Sequence, residues 1–264
     1  MTQLVGIYCT TGVVIATDSA ATFSTGHTAT IGQQMVEKIY HPCDHIIYTS
    51  TGAIGIAQLI NDMLRSNWTA GTYKNKKTPE EAMHAIGQGI GQLLSQYLQL
   101  GQMQKNIVGE ANASLAKSMI AFPVNRKPYL FQFDYTGTPE MASVKLPFVT
   151  LGSGQPIADP FLAFLARLLW PNRQPTLAEG RLAAAWTIDH VRQINPGGVG
   201  GNLRMAIMEE VAGSLPKVTE LNEADLQEHR QRIVSAEAAI TKELVGGTAV
   251  ATPELPVPPA TTIP

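Results

Sequence analysis

Apolar residues in the first fifth of the chain follow the pattern of short β-strands. Residues 3–9 and 12–18 are two β-rich runs separated by the turn-like Thr10-Thr11-Gly12, which predicts an antiparallel pair. Two further short strands are predicted at residues 35–42 and 45–50. The chain therefore begins with a block of strands and no intervening helix.

The period of the apolar residues then changes from two to that of a helix. Apolar residues recur at helical spacing from Ile56, and again after the start signal Thr78-Pro79-Glu80-Glu81. Further along, the pattern predicts four strands at residues 117–123, 128–134, 141–145 and 148–151, followed by two helices at residues 160–170 and 176–194. One more strand is predicted at residues 202–208 and a charged helix at residues 222–244. Blocks of strands and blocks of helices indicate an α+β protein with antiparallel sheets and helices outside them.

This order of elements also suggests how the chain is divided. Residues 1–215 contain all the predicted strands and are expected to form one domain. Residues 216–245 are expected to be a C-terminal helical extension, and the Pro/Thr/Ala-rich residues 246–264 a disordered tail.

Composition limits the classes of partner. The 264 residues carry a net charge of −2, with 44% hydrophobic and 15% charged residues, so no basic field exists to attract nucleic acid or an anionic membrane. The longest apolar run, at residues 160–170, is interrupted by Arg167 and is too short to span a bilayer. The absence of a signal-peptide pattern and the presence of only two cysteines, Cys9 and Cys43, favour a cytoplasmic location.

Thr2 is the first candidate for chemistry. Methionine is usually removed before a small residue, which would leave a threonine whose α-amine lies beside its own hydroxyl. An α-amine titrates near ~8 and can act as the base that activates a hydroxyl nucleophile. Because many proteins begin Met-Thr for no catalytic reason, these two residues alone do not establish an enzyme.

Three further segments give this threonine a context. The run from Gly12 to Thr22, then Lys38, then the segment around Gly52 resemble the proteasome β-subunit family of N-terminal nucleophile hydrolases. In that family an acidic residue follows the nucleophile by 16 positions, as Asp18 follows Thr2, and a lysine precedes a glycine by 14, as Lys38 precedes Gly52. The chain is a few residues longer than the family pattern between Asp18 and Lys38, which predicts a longer hairpin around residues 24–28.

The resemblance implies an αββα four-layer sandwich and a catalytic set. Thr2 would be the nucleophile with its α-amine as general base, Lys38 the cation that favours loss of the hydroxyl proton, and Asp18 the partner that orients Lys38. The backbone N–H of Gly52 would stabilise the oxyanion. Ser153, within a Gly-Ser-Gly turn similar to that of the family, would support the amine.

The chain departs from the family pattern in its C-terminal half. Where active members have Asp-x-x-Ser-Gly, the chain has Gln193 at the aspartate position and Pro196 at the serine position. Gln193 and Asn195 are the residues left to support the amine at this place, so its surroundings differ from those of the family.

The resemblance also implies how a substrate would bind. Backbone groups around Thr22 would pair with an extended peptide, as in strand addition. A pocket for the side chain that precedes the cleaved bond would be lined by small and apolar residues and so take a neutral side chain; these residues are Ala21, Val36, Tyr40, Ser50 and Ile54.

The function that follows is a threonine-type endopeptidase acting on unfolded polypeptide, in a homo-oligomer of stacked rings, with an ATPase or other regulator as a further candidate partner. A non-catalytic proteasome-like structural subunit, and an amidase or transpeptidase using the same nucleophile, are the alternatives. No cofactor or metal is expected, although the segment from His41 to His45 contains metal-binding residue types at close spacing.

Overall fold

The computed structural model describes residues 2–25, 28–108, 115–195 and 199–245. One five-stranded antiparallel sheet has the order β10-β1-β2-β11-β12, and its strands are β1 (Gln3–Cys9), β2 (Gly12–Thr17), β10 (Phe148–Gly152), β11 (Arg204–Glu209) and β12 (Lys217–Glu220). A second has the order β5-β6-β7-β8-β9, and its strands are β5 (Ile39–Cys43), β6 (Ile46–Gly52), β7 (Ala116–Val124), β8 (Lys127–Phe133) and β9 (Pro139–Met141).

A separate hairpin and five helices complete the described chain. Among the described residues, the strands β3 (Ala20–Thr25) and β4 (Thr28–Met35) pair only with each other. The helices are α1 (Ile54–Thr69), α2 (Pro79–Val108), α3 (Gln155–Leu169), α4 (Leu177–Ile194) and α5 (Glu223–Val245).

Alternation along the strands explains the layers. In β1, Leu4 faces a core shared by the two sheets, whereas Val5 and Ile7 face a core under α3, α4 and α5. In β6, Ile47 lies in the inter-sheet core and Tyr48 in a core under α1 and α2. Successive side chains of a strand point to opposite faces, so two buried faces place helices outside both sheets. The predicted αββα sandwich is confirmed.

The structure differs from the sequence prediction at several element boundaries. Helix α3 begins at Gln155 and contains Pro160, the residue at which the sequence predicts its start, so the helix tolerates the loss of one backbone donor. The strand predicted at 141–145 is found earlier, as β9.

Gly26 and His27, at the tip of the predicted long hairpin, and the tail at 246–264 lie outside the described residues. The segment expected as a helical extension contains strand β12 as well as α5, and β12 pairs with β11. Its residues are mostly exposed, which is why no apolar alternation revealed it.

A capping box fixes the start of α4. The Thr176 hydroxyl accepts the backbone N–H of Glu179, and the Glu179 carboxylate accepts the backbone N–H of Thr176. Arg173 also donates to both oxygens of this carboxylate. The hydrogen bond from Arg173, followed by those from Thr176, lowers the pKa of Glu179 from 4.5 to about 2.

Glu179→Gln should lower the free energy of unfolding by about 1 kcal/mol near neutral pH, because it weakens this cap and removes the ion pair. The folded pKa is depressed, so the contribution of Glu179 is present above its ordinary value of 4.5 and is lost as the pH falls toward 2. Urea unfolding across that range should show the two proteins converging. Glu228→Gln, which removes a carboxylate from an exposed pair with Arg232, should change stability much less. A constant gap at all pH values would contradict the assignment.

Candidate active site

The beginning of β1 lies in the middle of its sheet, between β10 and β2. The Thr2 N–H donates to the Ser153 hydroxyl at 3.2 Å, and Ser153 follows directly after β10. Gly152, the last residue of β10, has a φ of +111°, and a Cβ there would lie 2.0 Å from the Thr2 carbonyl oxygen. Only glycine permits this approach, so the turn after β10 can hold the nitrogen of Thr2.

Asp18 is the centre of the hydrogen bonds beneath Thr2. The residue is fully buried, and its Oδ1 accepts the Gln3 N–H at 2.9 Å and the Lys38 ammonium at 2.8 Å. Its Oδ2 accepts the Gly200 N–H at 3.3 Å. One carboxylate oxygen therefore connects the Thr2–Gln3 peptide with the Lys38 ammonium.

Lys38 is a cation with little access to water. Its side chain is 6% exposed and donates to the Ala20 carbonyl at 2.6 Å as well as to Asp18. Burial lowers the pKa of Lys38, and the charge and hydrogen bond of Asp18 oppose this effect. A desolvated ammonium held in this way can stabilise a neighbouring negative oxygen more strongly than one in water.

The turn that carries Ser153 is braced by helix α3. The Thr150 hydroxyl donates to the Asp159 carboxylate, and Gln155 donates to the other carboxylate oxygen at 3.1 Å. These bonds connect β10 to the N-terminal part of α3 across Ser153. The hydroxyl that faces Thr2 is thus held by two rigid elements rather than by a free loop.

Gly52 lies at the exposed end of β6, in the opposite sheet. It has a φ of +120°, and a Cβ would lie 2.1 Å from the Leu115 carbonyl oxygen, so the position requires glycine. Ile39 pairs with Thr49, which puts Lys38 and Gly52 at the same end of the β5–β6 hairpin. Gly52 itself makes no hydrogen bond with Thr2 among the described residues.

The predicted substrate-binding residues flank this end of the sheet. Tyr40 and Ser50 are half-buried on adjacent strands, and Ile54, the first residue of α1, is 43% exposed. The Val36 N–H donates to the Ser19 carbonyl at 2.8 Å, which connects the segment before Lys38 to that after Asp18. Ala21 and Thr22 lie in β3, where their backbones pair with those of β4.

The residues predicted to support the amine lie differently. Gln193 is exposed and donates to Asp189 at 3.0 Å, one turn earlier on α4, and it makes no hydrogen bond with Thr2 in the described structure. Asn195 is the residue that ends α4, and its carbonyl accepts the Val199 N–H. Pro196 lies outside the described residues.

Sequence reasoning missed the contribution of the segment after α4. The Gly200 carbonyl accepts the N–H groups of Ser19 and Ala20, at 3.2 and 3.1 Å, while its own N–H binds Asp18. The Asn202 N–H donates to the Ser19 hydroxyl at 2.7 Å. The glycine-rich sequence indicated a turn, and nothing in it showed that the turn meets residues 182 positions away.

Neither a metal-ligand cluster nor a membrane-spanning helix is found in the described part of the chain. Within residues 2–25, 28–108, 115–195 and 199–245, no three His, Cys, Asp or Glu side chains cluster as a metal site would require. His41 instead lies 3.7 Å from Glu220, and His45 contacts the Pro216 carbonyl at 2.9 Å. The helices in the described part of the chain are too short or too polar to cross a membrane.

The pattern of the Proteasome subunit family matches residues 2–168, which include Thr2, Asp18, Lys38, Gly52 and Ser153. The chain belongs to the proteasome subunit family. A curated proteasome subunit beta from Ferroglobus placidus is 26% identical over 157 residues, which are 60% of this chain and 65% of that protein. The chain thus matches somewhat less than two thirds of this relative.

Solved structures of other proteins share the fold of this chain. Anbu, named as an ancestral β-subunit, from Yersinia bercovieri superposes with a TM-score of 0.67 at 14% identity, covering 93% of this chain and 99% of Anbu. Anbu from Pseudomonas aeruginosa, whose structure is described as a helical assembly, gives 0.64 at 15% identity, covering 99% and 100%. At these identities the likeness concerns the fold alone.

Proposed function

We propose that this chain is a threonine-type endopeptidase that cleaves unfolded polypeptides with Thr2 as its nucleophile once Met1 has been removed. The carrying observation is the fully buried Asp18 carboxylate, which binds both the Gln3 N–H and the Lys38 ammonium. A buried ion pair costs desolvation energy and contributes little net stability, so its position directly beneath the candidate nucleophile favours a chemical role.

In the proposed mechanism, the α-amine of Thr2 takes the proton of the Thr2 hydroxyl as the oxygen attacks the scissile carbonyl. Lys38 stabilises the developing charge on the attacking oxygen, and the Gly52 N–H stabilises the tetrahedral oxyanion. The protonated amine then gives its proton to the leaving nitrogen. Water, activated by the same amine, releases the acyl group and restores Thr2.

Ser153 has the role of holding the amine. Its hydroxyl accepts a hydrogen bond from the nitrogen of Thr2, which becomes the α-amine after processing. The α-amine can take the proton only if its lone pair points at the Thr2 hydroxyl. A fixed hydrogen-bond partner limits rotation of the amine and so maintains this orientation. Gln193 does not assist in this arrangement, because it binds Asp189.

The proposal includes an oligomer in which the sites face an enclosed space. The Pseudomonas aeruginosa Anbu structure is a helical assembly, so a ring or a helical stack of copies is the proposed state of this chain. We place it in the cytoplasm, with an ATPase or other regulator as a candidate partner and residues 1–215 as the catalytic domain.

Intact-mass spectrometry with a peptide epoxyketone tests the function. This reagent forms its ring adduct only with a neighbouring free amine and hydroxyl, so wild-type protein without Met1 should gain one adduct per chain. Thr2→Ala should gain none, and Thr2→Ser, which keeps both groups, should still react. Wild-type protein that has a free Thr2, stays folded and gains no adduct would refute the proposal.

A structural subunit is the second candidate, and one observation favours it. The family's accessory aspartate is replaced by Gln193, whose side chain points to Asp189 on the exposed face of α4. A chain that loses Met1, assembles and stays unreactive in the same experiment would support this alternative.

A further inference from the structure

Helix α5 packs against α4 through few buried side chains. Of the α5 side chains that the structure describes, three are buried: Leu226, His229 and Ile233 are 3%, 2% and 2% exposed. Their spacing puts them on one face of the helix, and Leu226 and Ile233 belong to the core that α5 shares with α3 and α4. His229 is thus a polar residue in the middle of the apolar face by which α5 packs.

The hydrogen bond of His229 determines its protonation state. Arg181 of α4 donates its Nε–H to the Nε2 atom of His229 at 3.1 Å. A guanidinium is always a donor, so this ring nitrogen must be the acceptor, and the neutral ring carries its hydrogen on Nδ1. A second proton would have to bind Nε2, where it would face the N–H of Arg181. The packed helix therefore accommodates the neutral imidazole only.

The charges around His229 also oppose its protonation. Burial lowers the pKa of His229, and the positive charge of Arg181 on α4 lowers it further. On α5 itself, Arg232 acts in the same direction, whereas Glu228 and Asp225 act against it. Both carboxylates have other partners, because Glu228 lies 4.0 Å from Arg232 and Asp225 accepts a backbone N–H at the beginning of α5. A charged imidazole would thus be buried beside a cation, with neither carboxylate free to offset it.

We propose that α5 is an acid-released helix: protonation of His229 detaches α5 from α4 and uncovers the face of α4 on which it packs. This inference goes beyond the proposed function and does not depend on Thr2. A charged imidazole regains its hydration only if α5 leaves α4, and most of the stability of a helix comes from packing of its apolar face. Release also breaks the hydrogen bond of 2.9 Å from the Trp186 Nε1–H to the Glu237 carboxylate.

The direction of the pKa change sets the pH range of the release. The folded pKa of His229 lies below the ordinary value of 6.5, because the packed helix disfavours the charged ring. The contribution of His229 to packing is therefore complete above pH 6.5 and is lost as the pH falls from there through the folded pKa. One titrating group changes an equilibrium constant by at most about tenfold per pH unit.

Hydrogen–deuterium exchange of the full chain, followed by mass spectrometry, tests the release. With exchange times corrected for the intrinsic effect of pH, the protection of α5 amides should fall about five- to tenfold between about pH 7.5 and about pH 5.5. Peptides from β1 and β2 should keep their protection, which distinguishes release of α5 from acid unfolding of the whole chain. Unchanged protection of α5 would overturn the proposal.

Two variants at position 229 and one control variant assign the effect to His229. His229→Gln keeps an oxygen that can accept the Arg181 N–H but does not titrate, and His229→Leu places an apolar side chain on the buried face. The protection of α5 should be independent of pH in either folded variant. His190→Gln removes a second histidine whose pKa is lowered by burial, and it should leave the response in place, since a charged His190 would be attracted to Glu237 of α5. A response that persists in the variants at position 229, or one that disappears in His190→Gln, would contradict the assignment.

Thr2→Ala protein separates this inference from the proposed function. It should lose protection of α5 in acid as the wild type does, because Thr2 takes no part in the packing of α5. A chain that gains no epoxyketone adduct but loses protection of α5 in acid would support the release and refute the peptidase. A chain that gains the adduct and keeps its α5 protected in acid would refute the release alone.

Discussion

Lys38→Met should lower the free energy of unfolding by about 3–5 kcal/mol and abolish reaction with a peptide epoxyketone. The substitution keeps an unbranched side chain but leaves the Asp18 carboxylate buried without its cation. The N–H groups of Gln3 and Gly200 still bind that carboxylate and offset part of the loss. Urea unfolding gives the stability, and intact mass gives the extent of reaction.

A double variant separates the structural from the chemical role of Lys38. Asp18→Asn combined with Lys38→Met removes both charges, and the asparagine oxygen can still accept the Gln3 N–H. Most of the lost stability should return, because no unpaired charge remains, while the reaction should stay absent. Reaction within tenfold of wild type in the folded double variant would show that Lys38 plays no part in the chemistry.

Most of the strands and helices along the chain could be predicted because burial follows a simple period. The strands β1 and β2 are buried on both faces and bounded by a short turn, so their apolar runs were sufficient. Strand β12 could not be found in this way, because it is an edge strand of 4 residues with no buried side chain. It is fixed by pairing with β11, and such tertiary contacts leave no periodic signal in the sequence.

Only those residues of the candidate site that stand out by their type and spacing could be predicted from the sequence. Thr2, Asp18, Lys38 and Gly52 stand out in the sequence by their positions, and their catalytic roles remain predictions. Gly200 has no side chain to suggest its contact with Asp18, which is made by the backbone.

Gly152→Ala should lower the free energy of unfolding by about 3 kcal/mol or more and suppress the reaction of Thr2. The added Cβ would lie 2.0 Å from the Thr2 carbonyl oxygen, and that atom is backbone, so the start of β1 or the end of β10 must move. The φ of +111° adds strain for any residue with a side chain. Either movement would also displace Ser153 from the nitrogen of Thr2, to which it is bonded.

Gly213→Ala is the matched control for this prediction. Gly213 also has a positive φ, +76°, but a Cβ there would have no neighbour within 4 Å. Its substitution should therefore cost only the conformational strain, about 1 kcal/mol, and should leave the epoxyketone reaction unchanged. The difference between the two variants comes mainly from the contact between Gly152 and Thr2, with a smaller part from the larger φ of Gly152. Equal losses of stability would mean that the turn after β10 yields without moving Thr2, and Ser153 would then not be held in place by this contact.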